Sequence, residues 1–177
     1  GYQLLLEPIK IVVTDTAGVQ TFQIANQKIE VEIEKVDGEN GQPLSGAKLE
    51  LVRLPEGKVI RQWVSTSIPE VFQGISAGRY LIREVESPDA YLNMPPMEIQ
   101  VTNQEGVQKF AFQNFPIQAE IEKVDGESHE PVVGVVLKIV KEDGTVIREW
   151  TTDGKPEQFS KLEAGDYLIY ETSEAEG

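Results

Sequence analysis

"VEIEKVDGENGQPLSGAKLEL", Val31–Leu51, returns little changed as "AEIEKVDGESHEPVVGVVLKI", Ala119–Ile139. In both copies apolar and charged residues alternate through "EIEKV" before a turn containing Gly and Pro. Alternation at period two predicts a half-buried strand. On that strand Val31, Ile33 and Lys35 share a face, as do Ala119, Ile121 and Lys123. Glu30, Glu32 and Glu34 take the other face and should meet solvent. A lysine is thus aimed at the core twice, at the same place.

Other landmarks recur at the same distance. Lys35 and Lys123 are 88 positions apart, as are Asn26 and Asn114. Trp63 and Trp150, Tyr80 and Tyr167, and Glu84 and Glu171 are each 87 apart. One period shared by independent landmarks is the mark of a tandem repeat. Residues 28–115 make one complete repeat. Residues 116–177 carry only the first strands of a second, ending at "AGDYLIYETSEAEG", which matches "AGRYLIREVESPDA". Residues 1–27, "GYQLLLEPIKIVVTDTAGVQTFQIANQ", match the tail "AYLNMPPMEIQVTNQEGVQKFAFQNF". The chain therefore holds two repeat-equivalents in permuted phase, cut in the turn before Tyr2, the counterpart of Tyr91.

"AKLELVRL", "VIRQWV", "RYLIREV", "MEIQVT" and "QKFAFQNF" alternate or are rich in β-formers, with "DGENGQP", "LPEGK" and "SPDA" between them. Such spacing predicts an all-β antiparallel sandwich. "SIPEVFQGI" and "GKPEQFSKL" leave room for a helical turn, but neither has helical length. Trp63 and Trp150 are expected to pack in the core or between sheets.

Composition removes several functions. A net charge of −14 over 177 residues lacks the basic footprint for nucleic acid and any polybasic membrane patch. No apolar run approaches the roughly 20 residues that cross a bilayer, so no membrane insertion is expected in this segment. With no cysteine, disulfides, thiol catalysis and cysteine zinc sites are excluded. His129 stands alone, and the "DGEN" loop at Asp37 lacks the spacing of a calcium loop. No metal or cofactor is expected. No signal peptide is visible and no sorting tail follows Gly177, so an excised segment is expected.

The chemistry lies in three polar residues per repeat. Tyr80, Ile82 and Glu84 share a strand face, as do Tyr167, Ile169 and Glu171. Phe110, Phe112 and Asn114 share another, matched by Phe22, Ile24 and Asn26. Lysine, glutamate and asparagine are thereby each in register with core residues. Alone, each reads as a snorkelling lysine or a solvated carboxylate. Buried together, desolvation favours the neutral forms of amine and carboxyl. A neutral amine is a nucleophile, a carboxyl moves protons, and a polarised carboxamide is an electrophile. Together they can form a Lys–Asn amide with loss of ammonia.

These motifs resemble the collagen-adhesin B-type (Cna-B-like) domains of Gram-positive surface proteins and pilins. The resemblance rests on "KVD" at Lys35 and Lys123, "PLSGAKLEL" from Pro43, "AGRYLIRE" and "AGDYLIYE", "PDAY", and "NFP" at Asn114. It implies a reversed-immunoglobulin β-sandwich with an isopeptide bond from first strand to last. By motif match Lys35 and Asn114 are joined with Glu84 as proton shuttle. Lys123 and Asn26, with Glu171, take those roles in the split repeat. The sequence departs at Ala90, where glycine is usual, at "SEAEG" and "NQK", which lack the proline, and at Val135 and Val136, which replace "AK".

The resemblance implies a structural shaft or stalk segment of an extracellular, cell-wall-anchored adhesin or pilin. It is not an enzyme, since the chemistry is one self-modifying turnover. Any host ligand belongs to other parts of the parent protein. The rival is a host-protein or glycan binding module, which the short, aromatic-poor loops disfavour. Nine positions separate Asn26 from Lys35. A linker of about eight residues spans at most about 28 Å, too short to return along a whole repeat. Head-to-tail partnership is therefore expected, with strands 1–27 of a neighbouring copy or repeat filling the split one.

Overall fold

The computed structural model describes residues 1–173. Twelve strands run in chain order, with no helix among the described residues. They are β1 (Glu30–Asp37), β2 (Lys48–Arg53), β3 (Lys58–Val64), β4 (Glu70–Gln73), β5 (Gly78–Glu86), β6 (Met97–Val101) and β7 (Val107–Asn114), then β8 (Gln118–Ile121), β9 (Val133–Lys141), β10 (Val146–Asp153), β11 (Glu157–Ser160) and β12 (Tyr167–Ser173). Both stretches that left room for a helical turn are instead short strands, β4 and β11. Each pairs with the first strand of its repeat, and that ladder outweighs the local turn preference of the preceding Pro. The "SEAEG" turn falls, from residue 174, outside the described residues.

The chain divides into two compact units. One comprises Gly1–Pro88 with Asn93–Asn114, the other Asp89–Leu92 with Phe115 onward. The first unit is a sandwich of a β4-β1-β7 sheet and a β3-β2-β5-β6 sheet. β1 and β7 run parallel, from Glu30 opposite Val107 to Asp37 opposite Asn114. First and last strands of the complete repeat are therefore neighbours along their whole length.

Alternation fills the space between the sheets. Val31 and Ile33 of β1, Leu49 and Leu51 of β2, Tyr80 and Ile82 of β5, Ile99 and Val101 of β6, and Phe112 of β7 are all buried. Trp63 packs against this core and meets Phe72 edge-on, with ring centroids 5.5 Å apart. Glu30 and Glu32 point away from the core but are half-covered rather than free in solvent. Gln73 reaches Glu30 at 3.0 Å and Lys109 reaches Glu32 at 2.8 Å.

The second unit repeats the plan up to its fifth strand. β10-β9-β12 form one sheet and β11-β8 the other. Among the described residues no further strand joins β12 or β8, the places that β6 and β7 take in the first unit. The core is correspondingly half-closed. Val135, Leu137, Ile139 and Phe159 are buried, whereas Ile169 is 52% exposed where its counterpart Ile82 is 0%.

Residues 1–27 belong to the first unit but add no strand to either sheet. They are tied to it near Gly1–Leu4: Gly1 N donates to Gly74 O and Gly1 O accepts from Ile29 N, Tyr2 bridges Lys28, Gln3 Nε2 donates to Gly106 O at 3.2 Å, and Leu4 N donates to Asn103 O. Ile9, Ile11, Val13, Phe22 and Ile24 lie exposed.

Ala90 shows why its turn usually carries glycine. Its φ is +65°, in the left-handed region, and its carbonyl accepts from Ile117 N. A Cβ there costs about 1–2 kcal/mol, of which glycine's larger unfolded-state entropy returns about half. Ala90→Gly should therefore stabilise the second unit by about 0.5–1 kcal/mol. Urea unfolding followed by Trp150 fluorescence in a Trp63→Phe background should show a higher midpoint. An unchanged or lower midpoint would contradict the strain argument.

Candidate functional site

The three inward polar residues of the complete repeat meet in the sandwich. Lys35 comes from β1, Asn114 from the end of β7, and Glu84 from β5 in the opposite sheet. Alternation puts each on a core face, and the parallel β1–β7 register brings the lysine beside the asparagine. All three are buried, with Asn114 fully inaccessible.

Their contacts close on one another. Lys35 Nζ donates to Asn114 Oδ1 and, at 3.2 Å, to the carbonyl of Phe112. It lies 3.6 Å from Glu84 Oε1 and 4.2 Å from the centre of the Phe112 ring. Asn114 Nδ2 donates to both Glu84 oxygens, at 2.9 and 3.0 Å. Glu84 is held from behind by Met94 N, which donates to its Oε2 at 2.9 Å. The Asn114 carbonyl accepts from Gly38 N at 2.7 Å, tying the last strand to the turn after the first. Among the described residues no buried side-chain nitrogen or oxygen lacks a partner.

Burial decides the electrostatics. Desolvation lowers the Lys35 pKa from its ordinary 10.5 to about 8, against the opposing pull of the Glu84 charge and hydrogen bond. A usable fraction of neutral amine is thus present near neutral pH. The carboxamide presents its nitrogen to the Glu84 carboxyl and its oxygen to the Lys35 amine.

In the second unit Lys123 and Glu171 also face each other, with Nζ 3.2 Å from Oε2. Both are partly open to solvent, 34% and 41% exposed. Asn26 is exposed in the first unit and donates to Gln3 O at 3.0 Å. The structure thus brings two of the three residues of the split set together.

Sequence reasoning did not identify the supporting contacts. Met94 N and Phe112 O act through the backbone, which leaves no residue-type signature. One further cluster did have a signal. Arg61, Glu70 and Phe72 recur 87 positions on as Arg148, Glu157 and Phe159, the period of Trp63 and Trp150, which Phe72 and Phe159 contact.

Two stretches of the chain, residues 29–115 and 117–177, match the model of the SpaA prealbumin-like fold domain. The chain belongs to this family of β-sandwich domains, as its resemblance to Cna-B-like domains implied. Among solved structures it is similar to the Bacillus anthracis TIE protein, with TM-score 0.55 and 22% identity, covering 84% of this chain and 29% of that one. It is also similar to a streptococcal ancillary pilin, with TM-score 0.45 and 20% identity over 92% of this chain and 60% of that one. A third is BcpA, the major pilin subunit of Bacillus cereus, with TM-score 0.46 and 12% identity over 84% and 89%. The chain spans less than two thirds of the first two proteins. Among curated proteins none matches it.

The lowered Lys35 pKa makes a stability prediction. Between about pH 8 and 10.5 the unfolded lysine binds more protons than the folded one, so stability rises with pH across that window. Asn114→Ala keeps the Lys35–Glu84 pair and forbids any amide. Its urea stability relative to Lys35→Met/Asn114→Ala should rise from pH 8 to 10.5 and be flat below 8. A flat difference throughout would mean that Lys35 is not desolvated.

Proposed function

We propose that this chain is a structural shaft segment of a Gram-positive cell-surface adhesin or pilin, displayed outside the cell and braced by Lys–Asn isopeptide bonds. The observation that carries this reading is the buried Lys35–Glu84–Asn114 cluster at the parallel junction of first and last strands. Neutral Lys35 Nζ attacks Asn114 Cγ. Glu84 takes the amine's proton and passes it to the departing Nδ2. The Nζ–Cγ bond forms, the Cγ–Nδ2 bond breaks, and ammonia leaves. The chain acts on itself once, which is not enzymatic turnover.

The placement has a mechanical meaning. Tension entering at Glu30 and leaving past Asn114 would shear β1 along β7. An amide from Lys35 to Asn114 diverts that load through two side chains, so residues 36–113 carry none. It also restricts the unfolded chain as a disulfide does, in a protein without cysteine.

The second repeat is completed head to tail by a strand pair of the kind carried by residues 1–27, from a neighbouring repeat or a second copy. Three observations support this. No described strand joins β12 or β8 where β6 and β7 lie in the first unit. Ile9, Ile11, Val13, Phe22 and Ile24 alternate and are exposed. The turn between the two donor stretches is already pinned: Thr14 N donates to Gln20 Oε1 at 2.9 Å and Gln20 Nε2 to Thr14 O at 2.7 Å. Thr102 and Gln108 pin the β6–β7 turn in the same way, at 2.8 and 2.9 Å. Lys123, Glu171 and the incoming Asn26 then form the second reaction centre.

Intact mass tests the first bond. The folded chain should be lighter than its sequence by one ammonia, and Lys35→Ala, Glu84→Ala and Asn114→Ala should each restore the full mass. A wild-type chain of full mass rejects the bond. For the second bond, a concentrated sample boiled in denaturant should give a ladder on a gel, abolished by Asn26→Ala or Lys123→Ala. A single monomer band at all concentrations rejects covalent head-to-tail joining.

A further inference from the structure

β4 supports only the first half of β1. It pairs with Glu30–Ile33 and stops before Lys35. Beyond that point the chain doubles back after β1 and takes over. Asp37 N donates to Gln42 O and Leu44 N to Lys35 O, each at 2.8 Å, and Val36 bridges Pro43. The lysine-bearing end of β1 is thus held between this returning chain and β7. The second unit has the same turn. Asp125 N donates to Glu130 O and Val132 N to Lys123 O, each at 2.9 Å, and Val124 bridges Pro131.

The turn residues differ in part, "GENGQ" against "GESHE", but the aspartate before them recurs. Asp37 Oδ1 accepts from Glu39 N at 2.9 Å, and Oδ2 from Asn40 Nδ2 at 3.3 Å. Asp125 Oδ1 accepts from Glu127 N at 3.0 Å, Ser128 N at 2.8 Å and Ser128 Oγ at 3.0 Å. An aspartate bonded to the amide two residues on makes an Asx turn, in which the side chain stands in for a turn of backbone. The backbone carbonyls of the same aspartates accept from the fourth residue on, Gly41 N at 2.8 Å and His129 N at 3.1 Å. Both of those residues are left-handed, with φ of +71° and +60°.

In the first unit this turn reaches the buried polar cluster. Asp37 faces Asn114 in the last pair of the parallel ladder. It is only 3% exposed, and a carboxylate is tolerable there only while donors surround it. Closing the turn supplies the Glu39 and Asn40 donors and directs Gly38 N to the Asn114 carbonyl, 2.7 Å away. That bond anchors the residue whose carboxamide lies against Lys35.

We infer that Asp37 is a positioning residue for amide formation. Its carboxylate folds the turn that latches Gly38 N onto Asn114 O, and the latch holds Asn114 Cγ within reach of Lys35 Nζ. The positioning role rests on the isopeptide reading above, whereas the latch itself does not.

The test uses the full chain and two readouts. In the first, the chain is made by cell-free translation, and the tryptic peptide joining Lys35 to Asn114 is followed with time by mass spectrometry. Asp37→Ala should slow its appearance about tenfold or more, since small misplacements of reacting groups cost rate steeply. Asp37→Asn keeps the Oδ1 acceptor and should stay within about threefold of the unsubstituted chain. The second readout is native-state hydrogen exchange in an Asn114→Ala background, which keeps the backbone carbonyl and forms no amide. There Asp37→Ala should lower protection of the Gly38 amide about tenfold and change the β1–β4 ladder by no more than about threefold. Asp37→Asn should restore the Gly38 protection. An unchanged rate for Asp37→Ala, or no recovery with Asp37→Asn, overturns the positioning role. Equal losses of protection at Gly38 and along the β1–β4 ladder also overturn it, because the aspartate would then support the whole sheet and not the latch. If the unsubstituted chain never yields the joined peptide, the isopeptide reading and the positioning role fail together, while Gly38 exchange still decides whether Asp37 closes the latch.

Discussion

A lysine, a glutamate and an asparagine share the interior of this sandwich, and the need to satisfy one another there shapes the fold around them. Each would be costly to bury alone. Lys35 can occupy the core only because Asn114 Oδ1, Phe112 O and Glu84 surround it, and Glu84 only because Asn114 and Met94 N donate to it. Those partners come from β1, β5, β7 and the 93–96 connection, so the cluster is satisfied only when both sheets and both chain ends of the repeat are in place. This buried polar cluster is thereby also a check on assembly.

The same dependence separates the two repeats. The complete one brings its last strand alongside its first, and its polar cluster is dry. The other has the lysine and glutamate 3.2 Å apart and partly open to solvent. The buried cluster of the first unit has a last strand beside its first, β7 along β1, which no described strand supplies in the second.

Much of the fold could be read from alternation and period. The inward direction of Lys35, Glu84 and Asn114 follows from which neighbours share their strand face, a local property that survives any uncertainty about topology. β4 and β11 were harder. Each is four residues long and follows a Pro, so local signals could not separate a turn from a short strand, and the ladder to β1 or β8 decided it. The arginine–aromatic contacts recur at the period of the sequence, but that they join edge strands of two sheets needs knowledge of which strands are edges.

The sequence alone set the tandem period, the strand-rich character and the set of residues turned toward the core, because these depend on neighbours within a few positions. The parallel pairing of β1 with β7 and the depth of burial that lowers the Lys35 pKa were decided by the tertiary structure. So were the backbone groups that orient Glu84 and Lys35. Those features are distances between residues as many as 79 positions apart, as for Lys35 and Asn114. No local pattern encodes such a distance, and only the packing of two sheets brings the groups together.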